Sequence, residues 1–150
     1  LSAEQKIVYL NLDYIFQNSV PGKLILEGLD NKRKKNIQKF KLQENELKQK
    51  EQDIINKKNI LSKKEFEIKV VKLKSEMKIY NEERKKIFLQ FEENKKKELN
   101  EFLGKITPLI EDYVKKNSIN IVLNEKNLFI ASKKFDITNE IIEIINKTVK

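Results

Sequence analysis

The side chains able to do chemistry in this sequence are carboxylates and lysines, because it contains no His and no Cys. Without imidazole and thiol, the usual nucleophile–base pairs and the usual zinc ligand sets are missing. Carboxylate acid–base chemistry and oxygen-liganded metal sites remain open in principle. The adjacent acids Glu82-Glu83 and Glu92-Glu93 are the candidates, but they fall on helical faces and read as solvated charges. No glycine-rich phosphate loop, HExxH, GxSxG or calcium-loop pattern occurs. A long thin hairpin also makes no cleft for a substrate. The sequence therefore predicts no enzyme, and no catalytic, cofactor-binding or metal-binding residue.

The lysines are more informative through their placement. Of 150 residues, 32 are Lys or Arg and 23 are Asp or Glu, a net charge of +9. All of the excess lies between residues 23 and 100, and the flanking segments balance. Lys, Asn and Ile are crowded throughout, so an AT-rich coding bias accounts for part of the Lys count. Three clusters stand out: Lys32 to Lys35, Lys57-Lys58 with Lys63-Lys64, and Lys95 to Lys97. Interspersed acids such as Glu44, Glu51 and Glu65 break any continuous phosphate track, and stacking aromatics are not interleaved with the Lys runs. Nucleic acid is not an expected partner.

The elements that position these charges follow from periodicity. Only three Gly and two Pro punctuate the chain, which argues for long helices. Residues 6–12 (KIVYLNL) predict a strand, and 13–17 a helical turn with Asp13 as its cap. Ser19 and Pro21 mark the start of a long helix. In it, Leu26, Phe40, Leu47, Ile54 and Leu61 share a seven-residue register interrupted by Arg33, a coiled-coil seam. The companion register (Asp30, Ile37, Glu44, Glu51, Lys58) is mostly polar, so the seam is thin. Ser62-Lys63-Lys64-Glu65 is a capping box, which places a chain reversal near 57–62 and the second Lys cluster at the tip. The return helix carries Phe66, Val70, Leu73, Met77, Tyr80, Ile87 and Phe91, with Arg84 interrupting. At 1.5 Å per residue the two helices are roughly 55 Å and 75–80 Å long.

Pro108 lies inside the return helix, where its ring would meet the carbonyl of Gly104, and a kink or hinge is expected there. Two short apolar runs, 119–123 (INIVL) and 128–132 (LFIAS), predict a β-hairpin. Thr138 is the expected cap of a short closing helix carrying Ile141, Ile142, Ile144 and Ile145. The fold class is α+β: a small body from residues 1–22 and 101–150, holding three strands, and a helical hairpin arm over 23–100. No apolar run is long enough to span a membrane. The chain opens Leu1-Ser2-Ala3 without Met, as either a mature exported protein or a trimmed one would.

KIVYLNLDYIFQNSVPGK, Leu61-Ser62 near the turn, the returning VKKNSINIVLN and the terminal FDITNEII occur in this order along essentially the entire chain. Together they resemble the Skp (OmpH-like) family of periplasmic chaperones. The resemblance implies a periplasmic homotrimer shaped like a jellyfish, with a barrel-like trimerisation body and three coiled-coil tentacles around a cavity. It also implies an ATP-independent holdase without cofactor, whose partners are unfolded outer-membrane proteins. On that footing Ile7, Val8, Tyr9, Leu10, Ile121, Leu123, Phe129 and Ile130 are expected to build the trimer. Lys57, Lys58, Lys63 and Lys64 are expected to meet the client, and Gly104 with Pro108 to let the arms splay. The basic arms would also attract anionic lipid headgroups. A lipopolysaccharide-binding cluster is not matched residue by residue. The competing reading is a structural coiled-coil adaptor that binds one defined partner.

Overall fold

The computed structural model describes residues 4–149, so the Leu1-Ser2-Ala3 opening lies outside the described residues. The order of elements is β1 (Ile7–Leu10), α1 (Leu12–Asn18), α2 (Val20–Asn56), α3 (Lys63–Lys116), β2 (Ile121–Asn124) and α4 (Thr138–Thr148). Single 3₁₀ turns occupy Glu125–Asn127 and Lys133–Phe135. The chain separates into two compact units, residues 1–29 with 96–150, and residues 30–95.

In the first unit β1 and β2 pair in parallel, Ile7 opposite Ile121 and Leu10 opposite Asn124. On the other edge of β1, Tyr9 makes a single bridge to Asp136. The predicted hairpin is thus corrected. The first apolar run pairs with β1, 114 residues away in sequence, and the second, Leu128 to Ser132, forms no strand. The turn at Glu125–Asn127, closed by the Leu128 N–H donating to the Glu125 carbonyl, leads the chain away from its own strand. The helices connecting β1 to β2 supply the long crossover that parallel pairing needs.

Behind this sheet lies the core. Val8, Leu10, Ile15, Phe102, Ile106, Ile119, Ile137, Ile141 and Ile145 form one buried cluster, and four of them (Ile15, Ile106, Ile141, Ile145) are fully enclosed. The β-branched residues of α4 share one face at three- and four-residue spacing, which explains why so polar a chain still closes a core. Phe16 and Phe102 add an edge-to-face contact with ring centroids 5.0 Å apart.

Caps fix where the helices begin. Asn11, rather than Asp13, caps α1: its Oδ1 accepts from the Tyr14 N–H at 2.9 Å, while Asp13 sits in the first turn. At the start of α2, Ser19 is fully buried and its Oγ accepts from Gly22 N–H, while Asn146 of α4 accepts from Val20 N–H at 2.8 Å. A Cβ on Gly22 would lie 1.9 Å from the Phe16 carbonyl oxygen, so this close approach of backbones requires glycine. Thr138 does not cap α4. Asp136 Oδ1 accepts from its N–H and hydroxyl, and the Thr138 hydroxyl oxygen accepts from Asn11 N–H.

α3 runs unbroken through Pro108. Proline supplies no N–H for the Gly104 carbonyl, and the neighbouring Thr107 hydroxyl donates to the Leu103 carbonyl at 2.6 Å. Just past the end of α3 at Lys116, Ser118 takes a left-handed φ of 51°, with Ile119 N–H donating to the Val114 carbonyl. That cap turns the chain directly into β2.

Candidate functional site

The arm unit is held by far less apolar contact than the body. Phe40, Leu47, Ile54 and Leu61 on α2 and its turn, and Phe66, Val70, Tyr80, Ile87 and Phe91 on α3, are only half-buried. Leu73 is the one buried apolar side chain of residues 30–95. Phe40 and Tyr80 meet edge-to-face at 6.1 Å, and the Tyr80 hydroxyl donates to the Phe40 carbonyl at 3.4 Å.

The polar companions of this seam sit one residue earlier than the sequence pattern suggests. On α2 they are Asn36 and Gln43, while Ile37 and Glu44 are exposed. On α3 Met77 is 43% exposed, whereas the Glu76 side chain, 28% exposed, lies inward. Glu76 and Glu83 each take a lysine from the opposite helix, Lys50 at 2.9 Å and Lys39 at 2.8 Å. The Lys39 ammonium, by hydrogen bond and by charge, holds the Glu83 carboxyl below the ordinary carboxylate range. A two-helix arm leaves such groups reachable by water, so long side chains can bridge its edge with their heads wet. The seven-residue interval between Glu76 and Glu83 was the signal in the sequence; the apolar neighbour Met77 masked the first of them.

At the turn the capping box forms as expected. Ser62 Oγ accepts from Glu65 N–H and Glu65 Oε2 accepts from Ser62 N–H, both at 3.2 Å. Lys57, Lys58, Lys63 and Lys64 are all exposed there, brought together around Ile60, itself 83% exposed. Lys58 Nζ lies 5.9 Å from the Phe66 ring centroid, a loose cation–π contact.

A second apolar stripe was not read from the sequence. Ile68, Val71, Ile79 and Leu89 of α3 are all exposed; at 100° per residue Ile68, Val71 and Leu89 project away from the seam, and Ile79 flanks it beside Leu47 and Tyr80. These four lie three, eight and ten residues apart, too sparse to form a local pattern beside the seam residues interleaved with them. The expected trimer residues divide in the same unit-by-unit way. Val8, Tyr9 and Leu10 are buried within the chain itself, Val8 and Leu10 as part of its core cluster. Ile7, Ile121 and Leu123 are exposed on the sheet face away from the core, and Phe129 and Ile130 are 99% and 84% exposed. Gly104 and Pro108 both lie within the continuous α3. No group of three metal-ligating side chains comes together among the described residues, and no described helix is long and apolar enough to cross a membrane.

The family model of OmpH-like outer membrane proteins matches residues 6–145. The chain belongs to the OmpH-like family. No curated protein matches it. Among solved structures, a candidate outer membrane chaperone (OmpH-like) from Caulobacter crescentus CB15 superposes with a TM-score of 0.88. The two are 13% identical, with 100% of this chain and 89% of that one covered. An OmpH-like fold thus persists at an identity where individual surface side chains are free to differ, so the arm surfaces must be interpreted from this chain's own residues.

Proposed function

We propose that this OmpH-like chain is a periplasmic, ATP-independent holdase, a homotrimer whose helical arms surround unfolded outer-membrane proteins and keep them from aggregating. The observation that carries this reading is the exposed stripe Ile68, Val71, Ile79 and Leu89 beside a lysine-rich surface. Apolar side chains spaced along an exposed helix surface suit many sequences weakly rather than one partner tightly. Three arms would convert such weak contacts into retention through effective concentration. The tip lysines Lys57, Lys58, Lys63 and Lys64 add attraction for acidic clients or anionic lipid headgroups that falls with salt.

Self-association has its own support. The outer edge of β2 has no strand partner among the described residues; Ile7 of the paired β1, Ile121 and Leu123 of β2, and Phe129 and Ile130 shortly after it all stand exposed. Open edges and large exposed apolar side chains are both relieved by pairing between copies. In this reading Gly104 and Pro108 are the flexible point from which an arm swings.

The test is mass by light scattering, then dilution of a urea-unfolded β-barrel membrane protein into the purified chain. A trimer that keeps the client in solution, and loses that ability when Ile68, Val71, Ile79 and Leu89 are changed to Ser, meets the expectation. A wild-type chain indifferent to several unrelated clients would make it a coiled-coil adaptor for one defined partner.

A further inference from the structure

Between α2 and α3 the arm unit leaves a half-open cavity of about 400 Å³. Its lining includes Arg33, Phe40 and Ile37 from one helix and Tyr80, Arg84 and Phe88 from the other. Arg33 and Arg84 are the only arginines among the 32 basic residues of the sequence, and both line this one cavity from opposite helices. The coding bias that multiplies lysine gives no reason for two guanidinium groups to converge. A guanidinium does what an ammonium cannot: its planar fork grips a carboxylate through two hydrogen bonds, and its face stacks on aromatic rings.

Both forks have capacity to spare. Arg33 contacts Asp30 at 2.9 Å through one terminal nitrogen, and Arg84 makes no ion pair among the described residues. Lys41 adds a third positive charge to the lining against a single acid, Glu44. Phe40 and Tyr80 present an edge-to-face aromatic pair beside these charges, and the Phe88 ring is exposed. The volume sits at the low end of small-ligand pockets, room for a side chain or two and not for a folded surface.

We propose that this cavity is a discrete recognition subsite for a polypeptide segment in which an aromatic residue adjoins an Asp or Glu. The ring enters among Phe40, Tyr80 and Phe88, and the carboxylate bridges Arg33 and Arg84. The proposal rests on the holdase reading and deepens it. It gives the arm one chemically selective contact among its weak ones, a preference for acidic-aromatic stretches of the client.

Calorimetric titration of the full chain with three unlabelled octapeptides tests it. They have a Gly/Ser background and carry at their centre Asp-Phe, Asn-Phe or Asp-Ala. Wild-type protein binds the Asp-Phe peptide about five- to tenfold more tightly than either control, the scale of one charge-assisted fork. Arg84→Gln removes the preference for Asp over Asn, and Arg84→Lys, which keeps the charge, recovers less than half of it. Lys85→Gln leaves the preference intact. Both arginines are exposed, so the helical circular dichroism stays unchanged in every variant. Equal binding of the three peptides by wild type, or a preference that survives Arg84→Gln, overturns the subsite. So does displacement of the Asp-Phe peptide by phosphatidylglycerol vesicles that depends on Arg84, which would make the cavity a lipid site. A wild type that keeps clients soluble but shows no peptide preference leaves the holdase standing without the subsite. A wild type that holds no client overturns the holdase itself.

Discussion

The two units of this chain solve opposite problems with the same amino acids. In the body, Ile15, Ile106, Ile141 and Ile145 are fully enclosed, and polar side chains such as Ser19 and Thr138 are buried only with hydrogen-bond partners. In residues 30–95 one side chain, Leu73, is buried, and the seam is completed by half-exposed aromatics and two lysine–glutamate bridges. Burial stabilises in proportion to apolar area removed from water, so the body is expected to hold firmly and the arm to open locally at little cost. An arm with so little committed apolar surface keeps the rest available: Ile68, Val71, Ile79 and Leu89 stay exposed because the seam does not need them.

That contrast can be broken at several points. The largest effect is expected in the body, where Ile141→Ala should cost about 3–4 kcal/mol of unfolding free energy, the usual toll of a cavity in an enclosed core. Denaturant unfolding would read it, and a loss below about 1 kcal/mol would show that the core collapses around the gap. Gly22→Ala tests the junction of α1 and α2. Its Cβ would meet the Phe16 carbonyl oxygen at 1.9 Å, so the backbone must shift, a loss of about 2–3 kcal/mol.

In the arm the best-buried residue should matter less. Leu73→Ala is expected to cost about 1–2 kcal/mol, because a two-helix seam can relax into the space. Hydrogen exchange should accelerate in residues 30–95 and stay unchanged at β1 and α4; acceleration everywhere would mean that the two units unfold as one. Ser118→Gly should work in the other direction. It removes the penalty of a left-handed φ at the end of α3 and stabilises the body by about 1 kcal/mol.

The smallest effect concerns acid. Glu83 titrates below its ordinary value of 4.5 because of Lys39, so the stability it contributes is present above that value. It is lost as pH falls through the depressed folded value. Lowering the pH from 6 toward 3 should therefore loosen the arm more in wild type than in Glu83→Gln, as followed by hydrogen exchange in residues 30–95. The pair is solvent-accessible, so the difference should shrink in high salt.

What could be seen beforehand depended on how local the cause was. The capping box at Ser62 and Glu65, the break at Ser19 to Gly22 and the long uninterrupted helices are decided within a few residues, and all three form. The hairpin at 119–132 failed because turn and apolar pattern permit two pairings. Only the position of β1, far back in the sequence, selects the parallel one. Seam registry failed by one residue for a related reason. An α-helix drifts about 20° per heptad, so whether Glu76 or Met77 turns inward depends on the lysine offered by the opposite helix.

The sequence by itself determined which side chains are on hand for chemistry, the placement of the charge and the long helices, because composition and local periodicity are properties of neighbouring residues. Tertiary structure alone decided that Val8, Tyr9 and Leu10 are buried within the chain, that apolar side chains of α3 remain uncovered, and that Arg33 and Arg84 line one cavity. Each of those facts joins residues separated by tens of positions in the chain. Such joins are set by which surfaces the packed helices leave over, and no local pattern encodes that remainder.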